Sequence, residues 1–227
     1  MSYVKEIAKI YDYLADRYDY IYQSPVNHGE NRVVFDLVEK HMGKSILDIG
    51  CGTSLFLEYL NPSKYLGIDV SEKMIALARK RYPERHFIVG DMHNLPLKDE
   101  TFDTVVSLFS CLNLTLTPKM IADEILRVLK PGGHFIGTVV GLRMKYNILA
   151  GPKDHDWRNI PITYYTQKSI KEAFGFEELQ ILGLNYLGNL FEKHERYVNN
   201  EFGLLGRTAP DLARHMIIIG RKSLSTV

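Results

Sequence analysis

The stretch Leu47-Asp48-Ile49-Gly50-Cys51-Gly52-Thr53-Ser54 decides the fold. An apolar run ends in a carboxylate and breaks into a Gly-x-Gly turn. Two later acids, Asp69 and Asp91, also stand where Val-, Ile- or Leu-rich runs meet polar turns. All three carboxylates are therefore expected at the ends of neighbouring strands, the edge where an open α/β sheet binds nucleotide-like ligands. The Gly-x-Gly lets the backbone approach a ligand closely and turn sharply into the next helix. Asp69 follows Gly50 by nineteen residues, the spacing at which a strand-end acid accepts hydrogen bonds from ribose hydroxyls. One such acid fits a nicotinamide dinucleotide equally well; the second, Asp91, separates the two readings.

Outward from this stretch, helix and strand signals alternate. Val33, Val34, Leu37, Val38 and Met42 recur at helical spacing before Gly43. Strands are expected over 45–49, 64–70, 86–90, 104–109 and 135–140, with a short helix over 55–60 ended by Asn61-Pro62. Ser71 can N-cap a helix running to about Tyr82, and Thr117-Pro118 reads as a cap with proline at the first helical position. Pro131-Gly132-Gly133 is expected to end that second helix. Thr166 caps a further helix closed by Gly175, and strands are expected over 176–186 and 213–222. Such βαβ repetition implies a mostly parallel sheet covered by helices. Residues 141–165 and 187–211 break the alternation and read as insertions near the acceptor side of a single domain spanning 1–227.

Composition narrows the function classes. With 227 residues, 45% hydrophobic and 24% charged, the chain is an ordinary globular protein. A formal net charge of +1 gives no electrostatic footprint for DNA. The N-terminus carries acids and tyrosines, so it is not expected to be a signal peptide, and no apolar run approaches a membrane span. Two cysteines, Cys51 and Cys111, suit a reduced cytoplasmic chain, and neither CxxC nor any zinc-type cluster is present, so no metal is expected.

The series LDIGCGTS, LGIDVSEKM, IVGDMHNLPLKDETFDTVV and ILRVLKPGGHFI resembles the ordered motifs of class I S-adenosylmethionine-dependent methyltransferases over roughly residues 44–140. The resemblance implies a Rossmann-like, seven-stranded, mostly parallel sheet with an antiparallel last strand between the fifth and sixth, helices on both faces, and a small cap from the N-terminal helix (1–29) and the insertions. It implies S-adenosyl-L-methionine as cofactor. Asp69, with Val70 beside it, is the candidate for the ribose diol, since one carboxylate can accept from both hydroxyls. Asp91 resembles the acid that accepts the adenine amino group, with the Met92 N–H facing a ring nitrogen, and Met74 is a candidate cover for the adenine face. The backbone of Gly50, Cys51 and Gly52 would contact the methionine tail, and Asp48 would attract its ammonium. Ser54 stands where the family often has a third glycine. Tyr18, near the end of the leading helix, is the candidate to fold over the tail's carboxylate.

The acceptor side carries fewer signals. Residues Ser107 to Asn113 follow the fourth strand and should line the methyl end of the pocket, Ser107 touching the cofactor. Their text, Ser-Leu-Phe-Ser-Cys-Leu-Asn, lacks the Pro-Pro-aromatic and Pro-Cys motifs of nucleobase methyltransferases. The run Ala78-Arg79-Lys80-Arg81-Tyr82 is read as a solvated helix end. In the first insertion, His155, oriented by Asp156, is the candidate base, with Trp157, Tyr164 and Tyr165 close in sequence. The expected function is methyl transfer to a small-molecule or lipid-like acceptor. A nicotinamide-dependent oxidoreductase and a cofactor-binding protein without transfer are the rival classes, and oligomeric state is left open.

Overall fold

A computed structural model describes residues 2–22, 25–142, 160, 162–184, 207 and 209–224. Helix α1 (Ser2–Leu14) runs into a 3-10 segment (Ala15–Tyr22) and is followed by α2 (Pro25–His41). Next come β1 (Ser45–Ile49), α3 (Phe56–Tyr59), β2 (Lys64–Asp69), α4 (Glu72–Arg81), β3 (His86–Val89) and β4 (Phe102–Ser107). A 3-10 turn (Cys111–Asn113) leads to α5 (Pro118–Val128), β5 (Leu129–Val140), α6 (Gln167–Ala173), β6 (Glu178–Leu184) and β7 (His215–Arg221).

The strands form one seven-stranded sheet in the order β3-β2-β1-β4-β5-β7-β6. The pairs β1–β2, β1–β4, β2–β3 and β4–β5 are parallel, and β7 runs antiparallel to both β5 and β6. Strand order reverses at β1, whose Ile49 lies level with Ile68 of β2. Chain connections leave in opposite directions there and open a crevice above the strand ends.

Strand side chains alternate between two cores because successive residues point to opposite faces. Ile46, Val106 and Ile136 pack with α2, α3 and α4, whereas Leu47, Val105 and Phe135 pack with α5 and α6. Ile46 and Leu47 are both fully buried, each worth roughly 1.5–3 kcal/mol of apolar transfer. A sheet buried on both faces accounts for the nearly continuous apolar strand sequences.

The structure departs from expectation in several details. Strand β4 begins at Phe102 and ends at Ser107, because Phe109 and Ser110 take positive φ values of 56° and 65° and turn the chain away. Helix α5 stops at Val128 without help from Pro131-Gly132-Gly133, which lie inside β5; Leu129 is already extended and pairs with Phe102. Thr117 precedes Pro118 but its side chain makes no cap bond; its N–H donates to the Thr115 hydroxyl at 2.9 Å. Arg79, Lys80 and Arg81 form the exposed basic last turn of α4, as expected, and Arg81 also pairs with Asp19 of the 3-10 segment and with Glu58. Ser71 caps α4 by accepting from the Met74 N–H at 3.1 Å, and Thr166 caps α6 with a reciprocal bond from Ser169. Among the described residues, no helix is long and apolar enough to cross a membrane.

Candidate active site

Motif I turns on two glycines in the left-handed region, Gly50 at φ +71° and Gly52 at φ +52°. The Gly50 and Cys51 N–H groups both donate to the Ile68 carbonyl, at 2.8 and 3.1 Å, and the Gly52 N–H donates to Asp69 Oδ2 at 2.9 Å. The loop's donors are thus used within the protein, and what its backbone offers a ligand is carbonyl oxygen and the absence of side chains. Ser54 keeps the left-handed backbone of a glycine, φ +66°, and is fully buried. Its hydroxyl donates to Tyr65 Oη at 2.6 Å, and Tyr65 in turn donates to Asp48 Oδ2 at 2.7 Å. That chain of bonds offsets the cost of a Cβ in the left-handed region.

The three strand-end acids have different surroundings. Asp48 is 4% exposed, and burial pushes its carboxyl up to about 7, with the Tyr65 bond acting against burial and nearby Asp69 adding to it. Asp69 is also pushed up by burial, opposed by bonds from the backbone N–H groups of Ser71, Gly52 and Val70. It fastens the motif I loop to the start of α4. Asp91 Oδ1 accepts from the His93 backbone N–H at 2.9 Å and from His93 Nδ1 at 2.5 Å.

Asp69 and Asp91, but not Asp48, border a cavity at these strand ends. Its lining combines Gly50, Gly52, Asp69, Asp91 and His93 from the strand ends with apolar and aromatic side chains, among them Ile7, Tyr11, Tyr18, Ile49, Ile68 and Phe109. Of the residues expected at the site, Tyr18, Gly50, Gly52, Asp69, Val70, Asp91 and Met92 line it. Asp48, Cys51, Met74 and Ser107 stand behind that lining. Met74 is fully buried in α4, and the Ser107 hydroxyl donates to the Ile49 carbonyl at 3.1 Å, tying β4 to β1. The cysteines are both free, and burial pushes the Cys111 thiol up to about 12. His155 and Asp156 lie outside the described residues. Among the described residues, no cluster of His, Cys, Asp or Glu has the arrangement of a metal site.

The N-terminal segment closes the cavity. Asp12 Oδ1 accepts from the Ser71 hydroxyl at 2.6 Å and from the Lys73 N–H at 3.0 Å. Asp19 accepts from the Thr53 hydroxyl at 2.5 Å and pairs with Arg81. Tyr18 stacks edge-on with Tyr11, ring centroids 5.9 Å apart, and a Cβ placed on Gly52 would stand 3.5 Å from its ring. Asp12, Asp19 and His93 went unnoticed in the sequence. The first two had no local signal, because their partners are 34 to 62 residues away. His93 could have been found, since the i to i+2 spacing from Asp91 is that of an Asx turn.

An open sheet with a reversed last strand, a Gly-x-Gly turn and acids at successive strand ends defines a Rossmann-like cofactor-binding domain. Residues 47–137 match the family model described as a methyltransferase domain. The chain is 32% identical over 140 residues to a demethylmenaquinone methyltransferase of Paenarthrobacter aurescens, covering 58% of this chain and 53%, about half, of that one. It is 36% identical over 186 residues to the phthiotriol/phenolphthiotriol dimycocerosates methyltransferase of Mycobacterium tuberculosis, covering 77% of this chain and 65% of that one. Among solved structures, the fold is similar to that of a Thermotoga maritima SAM-dependent methyltransferase, a possible histamine N-methyltransferase, with a TM-score of 0.70, 21% identity and coverage of 95% and 99%. Residues 47–137 therefore form a methyltransferase domain, and the fold is that of S-adenosylmethionine-dependent methyltransferases of known structure. The cofactor of that family is S-adenosyl-L-methionine.

Proposed function

We propose that the protein transfers a methyl group from S-adenosylmethionine to a small apolar or lipid-like acceptor in the cytoplasm. One observation carries the proposal: a single cavity is lined both by acids and glycines at the strand ends and by aliphatic and aromatic side chains. The acids and glycines suit a nucleoside bearing a charged tail, and the apolar lining suits an apolar or ring-bearing acceptor. The relatives named for quinone and long-chain lipid methylation favour the same class of acceptor. Two free cysteines support a reducing location.

The cavity wall fits the cofactor. Among the described residues, a Cβ on Gly52 would meet only the Tyr18 ring at 3.5 Å and Met74 Sδ at 4.0 Å, so the missing side chain leaves room beneath Tyr18. In this proposal Asp69 accepts from the ribose hydroxyls through lone pairs its backbone bonds leave over. Asp91 accepts from the adenine amino group, and the Met92 N–H meets a ring nitrogen. Carbonyl oxygens of the Gly50–Gly52 loop and the Asp48 carboxylate behind them hold the ammonium, while Tyr18 covers the tail. Val70 borders the ribose. Cys51, Met74 and Ser107 act from behind the lining by shaping it.

When bound, the cofactor supplies a methyl carbon activated by its sulfonium. The chain's own residues then align an acceptor and exclude water. Ile7, Tyr11 and Phe109 form the dry face against which an apolar acceptor would rest. The N-terminal segment (1–29) and the insertions (141–165 and 187–211) are proposed as the cap of one domain spanning 1–227. For an acceptor that must lose a proton, His155 oriented by Asp156 is the proposed base. The test is turnover of labelled methyl donor against quinol, phenol and lipid acceptors. Transfer to such an acceptor supports the proposal, whereas transfer confined to charged, polar amines overturns the acceptor class. Once an acceptor is known, His155→Ala should lower kcat far more than it weakens cofactor binding.

A further inference from the structure

Among the described residues, His93 is the one histidine in the cavity wall, and it is 6% exposed. A buried imidazole is costly unless both nitrogens are bonded, and here both are. Its Nδ1 stands 2.5 Å from Asp91 Oδ1, and its Nε2 stands 2.8 Å from Thr115 Oγ1 and 3.2 Å from the Tyr3 hydroxyl. A carboxylate only accepts, so Nδ1 carries the proton and donates to Asp91. The Thr115 hydroxyl oxygen already accepts from the Thr117 N–H at 2.9 Å, which frees its hydrogen for Nε2. The Tyr3 ring also stands edge-on to the imidazole, with centroids 6.0 Å apart. One side chain thereby joins helix α1, the loop after β3 and the loop after β4.

The consequence falls on Asp91. Its Oδ1 receives both the backbone and the ring donor of the same residue, which fixes the side-chain torsion. Oδ2 is then the oxygen presented to a ligand. We propose that His93 is a positioning residue that holds the Asp91 carboxylate in the orientation that selects a 6-aminopurine over a 6-oxopurine. This rests on the assignment of Asp91 to the adenine edge. The chemistry is one of sign: a fixed carboxylate oxygen accepts from an exocyclic amino group and repels an exocyclic carbonyl oxygen. A carboxylate free to rotate could turn away from the carbonyl and lose that discrimination. The ring itself does not touch the reacting atoms.

The experiment measures calorimetric affinity for S-adenosylhomocysteine and its hypoxanthine counterpart, S-inosylhomocysteine, in the full chain. The wild type should prefer the adenine ligand, and His93→Leu should reduce that preference by about tenfold, the effect of one charge-assisted hydrogen bond. His93→Asn, whose amide nitrogen stands near the position of Nδ1, should retain most of the preference. His93→Gln, whose amide reaches towards Thr115 instead, should lose it. If His93→Leu does not fold, the Asn and Gln pair decides the question, since both fill the site with a polar group. Equal losses for the two ligands in each variant would make His93 a merely structural residue and overturn the proposal. Asp91→Ala separates the two levels. Preference lost in Asp91→Ala but kept in His93→Leu and His93→Gln overturns the positioning role alone. Preference unchanged in Asp91→Ala overturns the adenine assignment and the proposal with it.

Discussion

The sulfur of Cys111 occupies the space that a β-carbon on Gly50 would need, 2.2 Å from that position, with the Cys111 Cβ at 2.8 Å. Gly50 is therefore required twice, once by its φ of +71° and once by the side chain folded over it from the loop after β4. Gly50→Ala should cost roughly 1–2 kcal/mol for the left-handed backbone and about 1–3 kcal/mol more for overpacking. Cys111→Gly removes the second cost but not the first. A double-mutant cycle in urea should show Gly50→Ala less damaging in the Cys111→Gly background. Equal penalties in both backgrounds would show that the clash relaxes freely.

Asp69 holds the Gly52 and Ser71 N–H groups, each at 2.9 Å, so its removal should act on the fold as well as on the proposed ribose contact. Asp69→Ala should lower S-adenosylhomocysteine affinity at least about tenfold and also lower the Tm of the ligand-free protein, because two buried donors lose their acceptor. Titration calorimetry and thermal melting check the two halves. Unchanged affinity would remove Asp69 from the ribose assignment.

If Asp48 holds the cofactor ammonium as proposed, cofactor binding should have a pH dependence with a definite sign. Its carboxyl is raised to about 7 in the folded chain, so ionisation is resisted there but not in the unfolded chain. From about pH 4 to 7 the folded state binds more protons, and Asp48 makes stability fall as pH rises. Binding runs the other way: a cofactor ammonium favours the carboxylate, so affinity should rise as pH climbs from about 6 towards 7, with release of a proton. Calorimetry in two buffers of different ionisation enthalpy would detect that proton. Asp48→Asn should abolish both the release and the pH slope.

The C-terminal half of the N-terminal segment is fastened by polar contacts, Asp12 to Ser71 and Lys73, and Asp19 to Thr53 and Arg81. Such contacts are individually weak, so the segment should open more readily than the sheet. Residues 10–22 should gain hydrogen-exchange protection when S-adenosylhomocysteine binds. Asp19→Ala should speed ligand dissociation several-fold while shifting global stability by less than about 1 kcal/mol. Protection that is identical with and without ligand would mean that the segment is a fixed wall.

Much of the fold was legible along the chain because its signals are local. The apolar run into Asp48 and the glycines after it locate β1 and the crevice, and Ser71 locates the start of α4 through a bond spanning three residues. Where local signals were less clear, the element boundary moved. Pro131-Gly132-Gly133 reads as a helix stop, yet α5 ends at Val128 and those residues form an irregularity within β5, between Leu129 paired with Phe102 and His134 paired with Thr104.

The sequence by itself determined the class of sheet, the motif I turn and the acids at the strand ends, since each depends on residues a few positions apart. Tertiary structure alone decided which of those residues face the cavity. Asp48 is buried off the lining and accepts from Tyr65, Met74 sinks into the core, and Ser107 spends its hydroxyl on the Ile49 carbonyl. It also brought in Asp12, Asp19, His93 and Cys111, whose roles come from partners in other elements. Periodicity records which face of an element is apolar. It does not record which hydroxyl or carboxylate another element will place within about 3 Å, because that distance is set by how whole elements pack.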